Sequence, residues 1–370
     1  MKEFITKNIY ILNREFETIR VVDDYSSFIW TKFYRGYGEC ELYMGVSDSI
    51  LADALIDNYI QFEDDPGYLM IIKSLNIVTD IDQGNMIKIS AVGLEFILTQ
   101  RIVWGLELYK GSINEGIFYL INSNCCSTTN KLRQFSNPAL GIDVKVDPKI
   151  KAIKIDTQFT GTNIYDMVMD LCNEYDIGFD IRFEENPTMF VFRLYLGKDR
   201  SYEQDENTYV VFSIDYDNLV SSNYTETEIE YKNEALIGGE GEGINRRYIN
   251  ASKGTEQSSY KRYEMFVDAR DISSEVDGGT LTNSQYLSIL RERGTNKLNE
   301  QNKKTEFDSE ILPDVSFKYG IDYFLGDIVQ IENEYGMKHR SIIDSVIFAD
   351  DSSNGTTTIP TFRSLDKKEE

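Results

Sequence analysis

Hydrophobic and polar residues alternate along IQFEDDPGYLMIIKSLNIVTDIDQGNMIKISAV, residues 60–92. Leu75, Ile77 and Thr79 share one face, as do Ile87, Ile89 and Ala91 in the next run. A period of two marks strands buried on a single side. The spacing predicts strands over 60–63, 70–79 and 86–92, broken at 64–67 and 80–85 by residues that favour turns.

The pattern returns in VQIENEYGMKHRSIIDSVIFADDSSNG, residues 329–355. Gln61, Glu63 and Gly67 recur as Gln330, Glu332 and Gly336, a shift of 269 (330 − 61). Ile71, Ile72, Ser74, Asp80 and Gly84 recur as Ile342, Ile343, Ser345, Asp351 and Gly355, a shift of 271 (342 − 71). The difference is read as a two-residue insertion in the first turn, where insertions are best tolerated. Leu75 and Ile77 map onto Val346 and Phe348, which keeps the buried face. Beyond the second turn the register is expected to slip, leaving Lys88 opposite Ile359. Two unrelated hairpins would share part of this pattern; its extent favours a duplicated β-domain at the two ends of one chain.

Around this repeat, strands are predicted over 27–33 and 38–44, then a short helix capped at Ser47 or Asp48 with Ile50, Leu51, Ala54 and Leu55 on one side. Leu94, Ile97 and Leu98 have helical spacing and close a first β-barrel domain, 1–104. Ser112 to Glu115 reads as a capping box before Ile117, Phe118, Leu120 and Ile121. A second helix near Thr162 carries Ile164, Val168, Leu171, Cys172 and Tyr175 on one stripe, followed by a hairpin of 178–183 against 189–196. These make an α+β domain, 105–205. Thr225, Thr227, Ile229 and Tyr231 then alternate as on a half-exposed strand. After Thr282 a long helix places Tyr286, Leu287, Leu290 and Leu298 inside, with Glu292, Arg293 and Lys297 outside. The repeated unit resumes after Pro313, so 245–308 reads as an insertion in a second β-barrel domain built from 206–244 and 309–365. Residues 366–370 form a charged tail expected to be disordered. The fold class is mainly β with α+β: two related β-barrel domains plus an α+β domain and an inserted segment.

Composition narrows the function. Tyr 24 and Phe 20 favour strands. The net charge of −24 argues against nucleic-acid binding through phosphates and against anionic membranes. No signal peptide or apolar run of membrane-spanning length is recognised. Cys40, Cys125, Cys126 and Cys172 form no CxxC pair and read as free thiols of a reducing compartment, with Cys172 buried on its helix.

Catalytic signals are weak. The single histidine, His339, falls in a predicted turn among charged residues, and no GxSxG or reactive-cysteine context accompanies it. GGEGEG at 238–243 lacks the GK[ST] of a phosphate loop, its glutamates repel phosphate, and it reads as a mobile loop. Asp80 with Asp82, and Asp350 with Asp351, sit in predicted hairpin turns, where calcium or simple turn geometry accounts for them. No pair among the 62 acidic residues stands out for glycoside hydrolysis. No catalytic, cofactor-binding or metal residue is assigned, and the chain is read as no enzyme.

SSFIWTKFYRGYGECELYM, GYLMIIKS, VGLEFILTQRIV, NEALIGGEGEGINRR, YEMFVDARDI and YFLGDIVQIENEYG follow in an order that resembles the tail-hub, or prophage tail-tip, proteins of long-tailed bacteriophages (siphoviruses). The likeness runs from about Tyr25 to Arg363. That family resembles the baseplate hub of contractile tails, whose three copies form a ring closing the tail tube, with two barrels per chain facing a six-fold tube. The resemblance implies a homotrimer at the virion tail tip, assembled in the bacterial host cytoplasm. Its implied partners are the distal tail protein, tail tube and tape measure proteins, and tail fibre, spike or receptor-binding proteins. DNA would pass without specific binding, through a bore richer in acidic than basic residues. Many hubs continue into a peptidoglycan-cutting or fibre-like extension. This chain departs from that pattern at Glu370, so such activities are expected in other proteins of the phage or tail-like particle. The alternative is a carbohydrate-binding or carbohydrate-active β-protein using exposed tyrosines as sugar platforms.

Overall fold

A computed structural model describes residues 7–80, 84–276, 279–312, 316–351 and 355–365. The alternating segments form the strands Tyr59–Phe62, Leu69–Asp80 and Gly84–Gly93, and their repeats form Ile328–Glu332, Lys338–Asp351 and Gly355–Ser364. The two triplets pair in the same way. Tyr59 faces Ile71 as Ile328 faces Ile342, and Asp80 faces Gly84 as Asp351 faces Gly355. The register breaks between Ile72 and Ser74, and again between Ile343 and Ser345. Each long strand therefore bulges at the same position, occupied by Lys73 in one and Asp344 in the other. Gly84 and Gly355 both hold left-handed φ values, +83° and +75°, which a side chain would strain.

Two expectations about the repeat are corrected. The register does not slip after the second turn: Asn76 pairs with Lys88, and Ile347 with Ile359. Ile359 is 37% exposed, so its exchange with lysine changes a surface side chain and leaves the ladder intact. The two extra residues do not lengthen a turn either. They extend the first ladder by the pairs Ile331–His339 and Glu332–Lys338, which puts His339 on a strand.

The correspondence reaches further. Ser27–Phe33 and Glu39–Gly45 form an antiparallel pair before the first triplet; Leu219–Thr227 and Lys304–Ile311 do so before the second. Glu39–Gly45 pairs with Gly84–Gly93, and Lys304–Ile311 runs alongside Gly355–Ser364. Residues 34–38 join the first pair. Residues 228–303 join the second, so the inserted segment occupies the place of one short turn. Ile229 lies beyond the end of Leu219–Thr227 and is 91% exposed, not on a half-buried strand.

The inserted segment has its own core. Glu234–Gly238 lies between Tyr248–Ser252, antiparallel, and Glu264–Asp268, parallel. The unit thus starts about ten residues before the expected 245, because Ala235 and Ile237 pack with Ala251 and Val267. Helix Asn283–Asn299, opened by a capping box of Thr282 and Gln285, covers them with Tyr286, Ile289, Leu290 and Leu298. Glu292 faces away from this core, as expected, but that side of the helix is covered. Its carboxylate accepts from the Asp156 N–H at 3.0 Å, which docks the helix on strand Lys154–Thr160 of the α+β unit.

In the α+β unit, Ala139–Ile142, Gly178–Glu185 and Thr188–Tyr195 make a sheet. Helices Ile113–Ile121 and Ile164–Glu174 supply Ile113, Ile117, Val168 and Cys172 to its core. Asn163 caps the second helix, accepting from the Tyr165 N–H at 2.8 Å. The capping box expected at Ser112 does not form. That hydroxyl ends strand Leu106–Ser112 and turns instead towards Asn114 Oδ1 and the Lys151 carbonyl, at 2.6 and 2.8 Å. Leu94–Gln100 is a 3₁₀ helix, and Leu55, expected inside, is 51% exposed. Pro313, Asp82 and residues 366–370 lie outside the described residues.

Candidate functional site

Among the described residues one sheet of eleven strands runs across both β-units, while Leu219–Thr227 and Lys304–Ile311 form a two-stranded sheet of their own. The seam is residues 345–351 of the long strand Lys338–Asp351, which pair antiparallel with Ser27–Phe33, from Ser345–Phe33 to Asp351–Ser27. Phe348 crosses this seam. It packs in the core of the first unit, its ring 4.5 Å from that of Phe62 and 6.0 Å from that of Phe28. Asp350, which follows on the same face, is 4% exposed. It accepts from Tyr25 Oη at 2.6 Å, and burial together with this carboxylate pushes the Tyr25 phenol well above its ordinary pKa.

Charged groups brace the other end of the seam. Arg35, from the turn after Ser27–Phe33, reaches Asp344 and Asp176, each at 3.4 Å. Arg363 reaches the same two carboxylates at 3.3 and 2.7 Å. Asp344 is the bulge residue and Asp176 belongs to the α+β unit, so this cluster ties three units together. Beside it, Tyr34 is 1% exposed and donates to the Asp176 carbonyl at 2.9 Å. Gly178 and Gly326 let the backbone approach that ring: a Cβ on either would sit 2.1 or 2.2 Å from Tyr34 Cε2.

A second polar cluster lies under the first unit. Glu95 is fully buried; it accepts from Tyr68 Oη at 3.0 Å and from the Ile181 N–H at 2.9 Å. Burial raises its carboxyl to about 7, against the ordinary carboxylate range. Asp65 nearby behaves oppositely. Burial pushes it up, but ion pairs with Arg182 and Lys32 more than reverse this and hold it below the ordinary value.

The outer edges contrast with the seam. On Leu69–Asp80, the edge away from Gly84–Gly93 pairs with Tyr59–Phe62 only as far as Ile71. Beyond it Ile77 is 48% and Val78 53% exposed. Leu219–Thr227 pairs with Lys304–Ile311 on one edge, and no described strand lies on the other. Val220 there is 50% exposed.

The residues weighed for chemistry are not brought together. His339 is 8% exposed on its strand opposite Ile331, and its carbonyl accepts from Gln330 Nε2 at 3.0 Å. Asp350 and Asp351 lie on strand Lys338–Asp351 rather than in a turn, and Asp350 is engaged by Tyr25. Among the described residues, no group of three or more His, Cys, Asp or Glu could hold a metal. GGEGEG makes contacts near its start: the Glu240 N–H donates to Tyr286 Oη at 2.8 Å, and Glu240 pairs with Arg247. A cleft of about 390 Å³ between the first unit and the α+β unit is lined by Tyr59, Lys73, Gln100, Phe135 and Phe190.

Residues 8–362 match the siphovirus tail-protein family described as Siphovirus ReqiPepy6 Gp37-like protein. The chain belongs to this family. Among curated proteins none matches this family member. Its fold is that of phage and prophage tail proteins. The prophage MuSo2 43 kDa tail protein from Shewanella oneidensis is 9% identical, with 97% of this chain and 98% of that one covered and a TM-score of 0.57. Prophage tail protein gp18 from Listeria monocytogenes EGD-e is 11% identical, with 98% and 95% covered and a TM-score of 0.56. The tail protein from Neisseria meningitidis MC58 is 10% identical, with 96% and 95% covered and a TM-score of 0.55.

Sequence reasoning missed the seam itself. Its signal was present in Phe348, which the repeat maps onto Ile77 as a buried-face position. What alternation along one strand does not tell is whose core that face enters.

Proposed function

We propose that this siphovirus tail protein is the structural hub of a tail tip or baseplate, in which three copies close into a ring at the end of the tail tube. The carrying observation is the duplicated unit. Each unit has an antiparallel strand pair ahead of a triplet with the same pairing, bulge position and turn glycine, which lets three chains present six similar surfaces, matching a six-fold tube. The seam supports this reading, because it joins the two units edge to edge through Lys338–Asp351 and Ser27–Phe33. The α+β unit and the inserted unit lie outside that repeat and decorate the ring.

In the particle this hub joins the distal tail protein, tail tube and tape measure on one side to fibres, receptor-binding proteins or a spike on the other. It acts at the virion tail tip, after assembly in the host cytoplasm, in a phage or a phage-derived particle. The test is the native mass of the purified chain together with class averages of the particles. A three-chain mass and a three-fold ring with a central hole are expected. A chain that stays monomeric at high concentration, or a closed assembly of another symmetry, overturns the reading.

A further inference from the structure

Internal symmetry leaves one contact unmade. Within the chain, the outer half of Lys338–Asp351 pairs with Ser27–Phe33, and Phe348 enters the first unit's core. The position equivalent to Phe348 is Ile77, 271 residues earlier (348 − 77), and the strand equivalent to Ser27–Phe33 is Leu219–Thr227. Ile77 is 48% exposed where Phe348 is 9% exposed. The edge that should receive it, on Leu219–Thr227, has no described strand beside it. One chain thus carries one seam made and the two halves of a second seam left open, on different units.

We infer that the outer half of Leu69–Asp80 pairs antiparallel with Leu219–Thr227 of a second copy of this chain, with Ile77 entering that copy's core as Phe348 enters the first unit here. This rests on the ring reading and specifies its joint. Several features suit the partner. Strand addition satisfies the backbone donors and acceptors of both edges, and an exposed edge bearing Ile77 and Val78 is an aggregation hazard unless it is covered. The receiving unit has its own core of Val210, Phe212, Leu219 and Ile311, with Tyr224 partly buried against it. Chains joined in this way use each open edge once. The contact is head-to-tail, and it closes only as a ring.

The test uses the full chain with Cys126→Ser, since Cys40, Cys125 and Cys172 are buried. Val78→Cys is mixed, under mild oxidation, with each of Ser221→Cys, Asn223→Cys and Thr225→Cys, whose wild-type residues are all exposed. A covalent dimer of the mixed variants is expected at one of the three positions and in neither variant alone, while native mass still reports a trimer. Ile77→Lys is expected to lose the trimer and keep its circular-dichroism spectrum. A trimer with no cross-link at any position, and with Ile77→Lys still assembling, overturns this joint but leaves the ring standing. A chain monomeric in every variant and in wild type overturns both.

Discussion

Tyr25 Oη donates to Asp350 Oδ2 across 2.6 Å, joining residues 325 positions apart (350 − 25) at the seam of the two β-units. Next to this bond, Phe348 fills the first unit's core beside Phe28, which in turn lies against Trp30. The stability of the first unit therefore depends on a side chain from the second. Phe348→Ala is expected to cost about 3–5 kcal/mol, the usual range for emptying a buried aromatic site. Urea unfolding followed by tryptophan fluorescence reports it, because Trp30 is 2% exposed in that core. Ile77→Ala, at the equivalent but open position, is expected to cost under about 0.5 kcal/mol in dilute monomer. Equal costs for the two would show that the seam carries no special load.

Glu95 sets a pH dependence. Its folded carboxyl titrates near 7, above its value of about 4.5 in an unfolded chain. Between those values the folded state holds more protons than the unfolded one, so this group's contribution is full below about 4.5 and is lost as pH rises through about 7. The loss is on the order of 3–4 kcal/mol, since each pKa unit is worth roughly 1.4 kcal/mol. Glu292 and Glu174, also raised to about 7 mainly by burial, act in the same direction. Glu95→Gln retains an acceptor for the Ile181 N–H and removes the charge. Denaturant midpoints at pH 5 and pH 8 are expected to differ less for Glu95→Gln than for wild type. An unchanged difference would show that Glu95 is solvated in solution.

The strand pattern and the duplication were legible because period-two alternation and the spacing of 271 needed no tertiary knowledge, although Ile77, expected on a buried face, is 48% exposed where Phe348 is covered by the first unit. What lay beyond the sequence is contact between segments far apart in the chain. Glu292 reads as an outer-face residue by helical spacing, yet the outer face of that helix is where the α+β unit docks. His339 looked like a turn residue because a two-residue insertion is normally absorbed by a loop, whereas here both ladder strands lengthened. Glu95 gave no signal, since a buried carboxyl in a short 3₁₀ helix is recognised only by the Tyr68 hydroxyl and Ile181 amide that reach it.

The thiols are expected to react unequally. Cys40, Cys125 and Cys172 are buried, and burial pushes the Cys125 thiol up to about 12 and the other two further still. Cys126 is half-buried, with its thiol raised by burial to about 11. Thiolate is the reactive form, so native labelling by a disulfide reagent is expected at Cys126 alone, rising about tenfold per pH unit from 7 to 9. Prompt labelling of Cys172 without denaturant would contradict its place on the inner stripe of helix Ile164–Glu174.

The last prediction concerns the charge along the DNA path that the proposed ring implies. Three chains of −24 sum to −72 (3 × −24), and low-dielectric walls focus such a field into a bore. Each phosphate neutralised by a cation would release counterions and hold DNA back, so a passage must avoid paired basic groups. On the paired strands Glu39–Gly45 and Gly84–Gly93, Glu39 and Glu41 stand with one lysine, Lys88, which is paired to Glu41 at 2.5 Å. We expect the bore of the assembled ring to carry more Asp and Glu than Lys and Arg, and its joints to be less acidic. Retention of duplex DNA by the assembled protein in about 20 mM salt is the measurement, with no retention expected. Binding that weakens as salt rises, or a basic bore in an image of the ring, would show instead that the acidity is spread over the outside and serves solubility.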